Sequence, residues 1–107
     1  MSWKVVVLAR ARDEIDEAAD WYRRESQELC LAFLKAVEVS LQSLTINPRI
    51  RSRRHPSEDV RWLQLKPFPY RIIYRILSSD QTVFVLMVLH ASRDDRHWKR
   101  RINEERS

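Results

Sequence analysis

Apolar residues recur at every third or fourth position from Ala11 to Leu44 and at every second position in the strands from Val60 onward. This change of period limits the folds open to the chain more than any other feature. Ala11, Ile15, Ala18 and Tyr22 fall at i, i+4, i+7 and i+11, one face of a helix. Phe33, Val37, Leu41 and Leu44, with Leu34 beside them, form the stripe of a second helix over Gln27–Thr45, which Asn47-Pro48 ends. The short break near Arg24–Ser26 joins the two as a hairpin, both apolar faces turned to one core. Asp13, Glu14, Asp16 and Glu17 load the first turns of the first helix with charge that suits its dipole. No Ser, Thr, Asp or Asn stands just before Ala11, so its cap is weak.

The period-two part divides into three strands. VRWLQLK (Val60–Lys66) comes first, and Pro67 and Pro69 frame a bend. YRIIYRIL (Tyr70–Leu77) follows, with Tyr70, Ile72, Tyr74 and Ile76 on one face and Arg71, Ile73, Arg75 and Leu77 on the other. SSDQ makes a turn. Thr82–His90 is apolar on both faces and so belongs in the middle of a sheet. At the other end of the chain, WKVVVLA (Trp3–Ala9) is β-branched and short, a further strand. Arg93–Glu104 closes the chain as a short helix. The order β-α-α-β-β-β-α predicts one α+β domain over residues 1–107. Its N-terminal strand joins the edge of a three-stranded antiparallel meander, the helical hairpin covers one sheet face, and the other face is only partly covered, open to a partner or a second copy.

Composition narrows the function classes. The 107 residues contain no glycine, which removes phosphate-binding glycine loops and dinucleotide fingerprints. The single cysteine, Cys30, excludes an internal disulfide and a multi-cysteine zinc site, and reads as a small buried residue on a helix. No apolar run approaches the roughly 20 residues of a membrane span. The start of the chain lacks a signal-peptide pattern, so a cytoplasmic home is expected. The net charge of +5 is uneven: residues 1–47 carry six Lys/Arg against eight Asp/Glu, and residues 48–107 carry fourteen against seven. The loop RIRSRRHPS (Arg49–Ser57) holds four arginines within six residues. A basic half of this kind suits nucleic acid or an acidic protein partner, or is a solvated surface rich in arginine.

The last strand runs into a polar corner: His90, Arg93, Asp94, Asp95, Arg96, His97, Trp98 and then Lys99, Arg100 and Arg101. The bland reading comes first here. His90 ends a buried strand and hydrogen-bonds a backbone group or a carboxylate such as Asp94. Trp98 closes the edge of the core as a lid. His90, Asp94, Asp95 and His97 offer metal ligands, yet their spacing fits no common motif and Arg93 and Arg96 would repel a cation. No metal or cofactor is expected.

Taken in order, these segments resemble the RelE/ParE superfamily of type II toxin–antitoxin toxins, over nearly the whole chain. ARDEIDEAADWY (Ala11–Tyr22) matches the first helix of that family, and LAFLKAV (Leu31–Val37) the second, which ends in Asn47-Pro48. VRWLQLKPFPYRIIY (Val60–Tyr74) carries the most specific stretch, and His90, Arg93, Asp94, Trp98 and Arg101 match the family's last motif, at spacings closer to the ParE-like side. The resemblance implies a small bacterial toxin held inactive by a cognate antitoxin, whose C-terminal segment orders as it wraps the toxin. Arg53, Arg61, Arg71 and Arg75 would then face that acidic segment.

ParE-like members inhibit DNA gyrase, RelE-like members cut mRNA on the ribosome, and some relatives are inactive and act only in antitoxin binding and operon repression. For a gyrase inhibitor the expected contacts are Arg93, Arg96, Trp98, Lys99 and Arg100. For a ribonuclease the candidates are His90 and Tyr74 for proton transfer, with Arg93 and Arg75 on the phosphate; Tyr70, His97 and Arg71 are further possible members. Ribonucleases of this kind tend to have a lysine-rich second helix and a tyrosine or histidine near the C-terminus. Here the second helix has only Lys35, and KRRINEERS has neither residue, which favours gyrase inhibition without an enzyme activity. Nucleic acid would be met only through the ribosome or indirectly. A homodimer or a hetero-oligomer with the antitoxin is compatible with the open sheet face.

Overall fold

The structure, a computed structural model, describes residues 2–55, 57–93 and 95–106; the side chains of Asp95, His97 and residues 103–106 lie outside the description. Its elements are β1 (Lys4–Val7), α1 (Ala9–Glu25), α2 (Gln27–Ile46), β2 (Val60–Gln64), β3 (Tyr70–Leu77), β4 (Thr82–His90) and α3 (Asp95–Arg106). The order is the expected one, and β3 and β4 have the expected bounds. α1 begins two residues earlier than its apolar period suggests, after Leu8, which has no capping side chain. Its first turn therefore holds no acidic residue; Asp13, Glu14, Asp16 and Glu17 sit in the turns that follow. α2 starts cleanly because Ser26 Oγ accepts the Leu29 N–H at 3.0 Å. At its end Asn47 turns the chain, its side chain accepting the Arg49 N–H at 3.2 Å.

The sheet order is β1-β4-β3-β2. β1 runs parallel to β4, from Lys4 opposite Thr82 to Val7 opposite Val85. β2, β3 and β4 form the antiparallel meander, with β2 at the free edge. A register shift at Ile73/Tyr74 places Met87 opposite Ile73 and Val85 opposite Tyr74, which leaves Leu86 as an extra residue in β4. Leu86 and Met87 then both serve the core on the face away from the hairpin.

Two cores result. The larger lies between the hairpin and the sheet, where Ala11, Ile15, Tyr22, Cys30, Phe33 and Val37 meet Leu63, Ile72, Tyr74 and Val85. Tyr22, Phe33, Phe68 and Tyr70 form an aromatic cluster at its end, ring centroids 5.0–6.4 Å apart. The smaller core corrects the expectation of a half-open second face. α3 lies over it, burying Trp98 and Ile102 against Val60, Ile73, Leu86, Met87 and Leu89. Each fully buried side chain of this size contributes on the order of 2 kcal/mol. One carboxylate fastens this arrangement. Glu14 Oε1 accepts the Val88 N–H at 2.9 Å, and Oε2 accepts from Arg101 Nη1 at 2.8 Å, so α1, β4 and α3 meet at a single side chain.

By length and composition α2 could cross a membrane. It nevertheless carries Glu28, Lys35 and Glu38 and packs Cys30, Phe33, Val37 and Leu44 into the core. Ala32, Ala36 and Val39 of the same helix line a cleft, described next.

Candidate partner-binding surfaces

A cleft of about 750 Å³ runs between α2 and the free edge of the sheet at β2. Ala32, Ala36 and Ser40 form its wall on α2, with Val39 half exposed above them; Trp62, Leu63 and Gln64 form the opposite wall. The small residues repeat at i, i+4 and i+8, so the helix backbone can be approached closely along one line. The cleft continues past Ser43 to Ile46 and Ile50, which are 77% and 68% exposed. Lys35, Arg51, Arg54 and Lys66 rim it, and no carboxylate lines it among the described residues. β2 pairs only with β3, apart from one isolated bridge between Arg53 and Arg61. The sheet edge beside the cleft is therefore largely open, and an open edge is a template for an added strand.

The basic loop that borders this cleft is held by Arg61. Its Nε donates to Asp59 at 2.9 Å and its Nη1 donates to the carbonyls of Arg49 and Arg51 at 2.9 and 2.6 Å. Arg61 thus works inside the fold, and its sheet face is that of the hairpin. Arg71 and Arg75 lie on the opposite face. Arg71 stacks over Trp62 at 4.3 Å and Arg54 covers the same ring at 4.6 Å. Arg75 has buried Nε and Nη2 atoms with no hydrogen-bond partner among the described residues. Arg53 is exposed in the loop. The four arginines expected to meet one acidic segment are thus divided between a structural brace, a stack, an unsatisfied guanidinium and a surface position.

Of the residues proposed for RNA cleavage, Tyr70, His90 and Arg93 line one cleft, whereas Tyr74 and Arg75 lie away from it. Tyr74 is fully buried, and its hydroxyl donates to the Pro48 carbonyl at 2.7 Å. Burial pushes its pKa up to about 12. Tyr70 pairs with His90 across the sheet, so Tyr74 lies four residues, about 13 Å, from that pair. Arg75 faces the other side. Burial also raises the Tyr70 pKa. His90 Nδ1 accepts the Ser92 N–H at 3.1 Å and lies 2.8 Å from Ser92 Oγ, so its partner is the serine turn; Asp94, the carboxylate expected there, lies outside the described residues, as does the His97 side chain.

At the C-terminal corner Arg93, Arg96 and Arg100 are exposed. Trp98 is 1% exposed and cannot meet a partner while α3 is docked, which corrects its assignment as a surface contact. Lys99 Nζ lies 5.5 Å from the centre of the Trp98 ring, and Arg101 is buried against Glu14. Sequence reasoning missed the α2–β2 cleft because it followed the large residues of α2. Ala32, Ala36, Ser40 and Ser43 on the adjoining side were the available signal.

Comparison with known proteins agrees with this architecture. The family description "ParE toxin of type II toxin-antitoxin system, parDE" matches residues 5–95. The toxin fold of a chromosomal ParDE system from P. aeruginosa superposes with a TM-score of 0.71 at 16% identity, covering 84% of this chain and 97% of that one. A free mutant form of E. coli toxin RelE gives 0.68 at 18% identity, covering 97% and 98%. The intact E. coli RelBE toxin–antitoxin complex gives 0.60 at 21%, covering 85% and 99%. None of the curated proteins matches the chain in sequence.

Proposed function

The chain belongs to the ParE toxin family of type II toxin–antitoxin systems, and from that premise we propose that it halts growth in the cytoplasm by binding DNA gyrase, without an enzyme activity, until its cognate antitoxin covers it. The observation that carries the antitoxin half is the α2–β2 cleft: apolar along its floor, rimmed by four cations, without a carboxylate among its described lining residues and open along a sheet edge. An acidic, amphipathic segment that orders on binding has the matching chemistry, its carboxylates on the rim and its apolar residues on the small side chains of α2. Antitoxin and toxin then form a hetero-oligomer.

For the target, Arg93, Arg96, Lys99 and Arg100 present a cationic edge on α3 and the turn before it. Gyrase inhibition is favoured over mRNA cleavage because Tyr74 is committed to Pro48 and stands apart from His90, with Arg75 on the other sheet face. Catalysis of phosphodiester cleavage needs those roles at one phosphate. The test is a pulse-label after induction in a bacterial host, following DNA and protein synthesis separately. DNA synthesis stopping first, with supercoiling by purified gyrase inhibited, supports the proposal. Early collapse of translation with cut mRNA would replace it with the ribonuclease reading. Unimpaired growth would leave an inactive relative that binds only the antitoxin.

A further inference from the structure

The helical hairpin has two flanks, and the basic cleft occupies only one. On the other flank α1 runs beside the end of β4. β1 stops at Val7, opposite Val85, and β4 continues to His90 beyond it. Glu14 fills the first part of the gap through its bonds to Val88 and Arg101. Past Glu14 the space stays open as two adjoining clefts of about 240 and 320 Å³, both walled by Trp21, Tyr70 and His90.

Trp21 is 53% exposed and meets Tyr22 edge-on, with ring centroids 5.1 Å apart. Glu17 lies one helical turn before it, exposed and on the same cleft. Tyr70 and His90 meet edge to face at 5.3 Å on the opposite wall. An aromatic face beside an open carboxylate holds a guanidinium or an ammonium: the ring quadrupole attracts the cation and the carboxylate accepts its hydrogen bonds.

The chain places a cation of its own at the ring of each of its other three tryptophans. Arg49 lies 4.8 Å over Trp3, Arg54 and Arg71 lie over Trp62, and Lys99 lies beside Trp98. Among the described residues Trp21 is the one tryptophan with no cation over its ring, and it is the most exposed of the four. Arg93 also lines the cleft, at its β4 rim, and has a partner of its own.

We infer that the α1–β4 cleft docks an arginine or lysine side chain from a basic segment of a partner protein, the cation lying on Trp21 and meeting Glu17. This is a second interface, with an open carboxylate where the α2–β2 cleft has none among its described lining residues, and it lies on the other side of the hairpin, so both can be occupied at once. It goes beyond the proposed function, which assigns nothing to this flank.

The test titrates the full, isotope-labelled chain with the peptide acetyl-Ala-Arg-Ala-Arg-Ala-amide and follows its four indole N–H signals by NMR. One signal is expected to move saturably, and it is the signal missing in Trp21→Phe. The citrulline version of the peptide should leave it in place. Glu17→Gln should weaken binding about fivefold, the scale of one cation contact at a partly exposed site, while Asp13→Asn with Asp16→Asn stays within about twofold. The inference is overturned by the absence of saturation at millimolar peptide, by an equal response to citrulline, or by equal weakening in the Asp13/Asp16 variant, which would mean diffuse attraction to an acidic helix. Spermidine moving the signal as tightly as the peptide would overturn a protein segment as the occupant. Antitoxin affinity, measured on the Trp21→Phe chain, reports separately on the proposed function.

Discussion

Two residues carry stability arguments of their own. Gln81 sits at φ 48° and ψ 46°, the only positive-φ residue described, where β3 turns into β4. A residue with a Cβ is strained there by about 1 kcal/mol. Gln81→Gly should stabilise the fold, by somewhat less than that because glycine also loosens the unfolded chain; the urea midpoint measures it, and an unchanged or lower midpoint would refute the strain argument. Tyr74 is the second case. Its hydroxyl ties β3 to the turn after α2, and Tyr74→Phe leaves the Pro48 carbonyl without that donor, at a cost of about 1 kcal/mol. The raised pKa gives this tie a pH signature. A folded-state value of about 12 against an ordinary 10 means that the neutral phenol is favoured in the fold. The contribution is complete below pH 10 and declines as pH rises toward 12, so wild type should lose stability over that window and Tyr74→Phe should lose less of it. If Tyr74 is a strut, growth inhibition by the phenylalanine variant persists; loss of toxicity in a folded variant would return it to catalysis.

At the scale of elements, the sequence was most legible where period and local chemistry agree. β3 and β4 were bounded correctly because alternation, flanking prolines and a polar turn all pointed to the same limits. α2 was nearly so, since Ser26 and Asn47 cap it at both ends. α1 was misplaced at its start because Leu8 gives no capping signal. The coverage of the second sheet face was missed for a physical reason: α3 is strongly charged, and only Trp98, Arg101 and Ile102 face inward among its described side chains. Nor does spacing reveal that Glu14, one of four neighbouring acids, turns inward to the Val88 amide and Arg101. That contact carries its own prediction. With side-chain exposures of 20% and 7%, the pair is largely desolvated. Glu14→Ala strands both a strand amide and a buried guanidinium, and should cost about 3 kcal/mol. Glu14→Ala with Arg101→Met should cost less than the single change, because the uncompensated charge is gone. Chemical denaturation of the two variants beside the wild type decides it, and a double variant weaker than the single would show that the ion pair is not the source of the loss.

For the whole molecule the question is how one small basic chain can be both poison and cargo. Under the proposed function the two tasks fall on separate surfaces: the exposed arginines of the C-terminal corner lie on α3 and the turn before it, whereas the cleft proposed for the antitoxin lies between α2 and β2. Charge reversal at the cleft rim should therefore divide neutralisation from toxicity. Lys35 and Lys66 suit the experiment because both are exposed, and the pair Lys35–Glu38, at 3.7 Å on the surface, adds little to stability. Lys35→Glu with Lys66→Glu should leave the melting transition nearly unchanged. Antitoxin binding should weaken at least about tenfold, since two rim attractions become repulsions, and the wild-type affinity should fall with added salt more steeply than that of the variant. Growth inhibition by the variant alone should match wild type, and co-expressed antitoxin should rescue it poorly. If the antitoxin still neutralises the variant fully, the segment lies elsewhere on the basic half. If toxicity and neutralisation fall together in a folded protein, the two surfaces overlap, and the antitoxin acts by covering the target site directly.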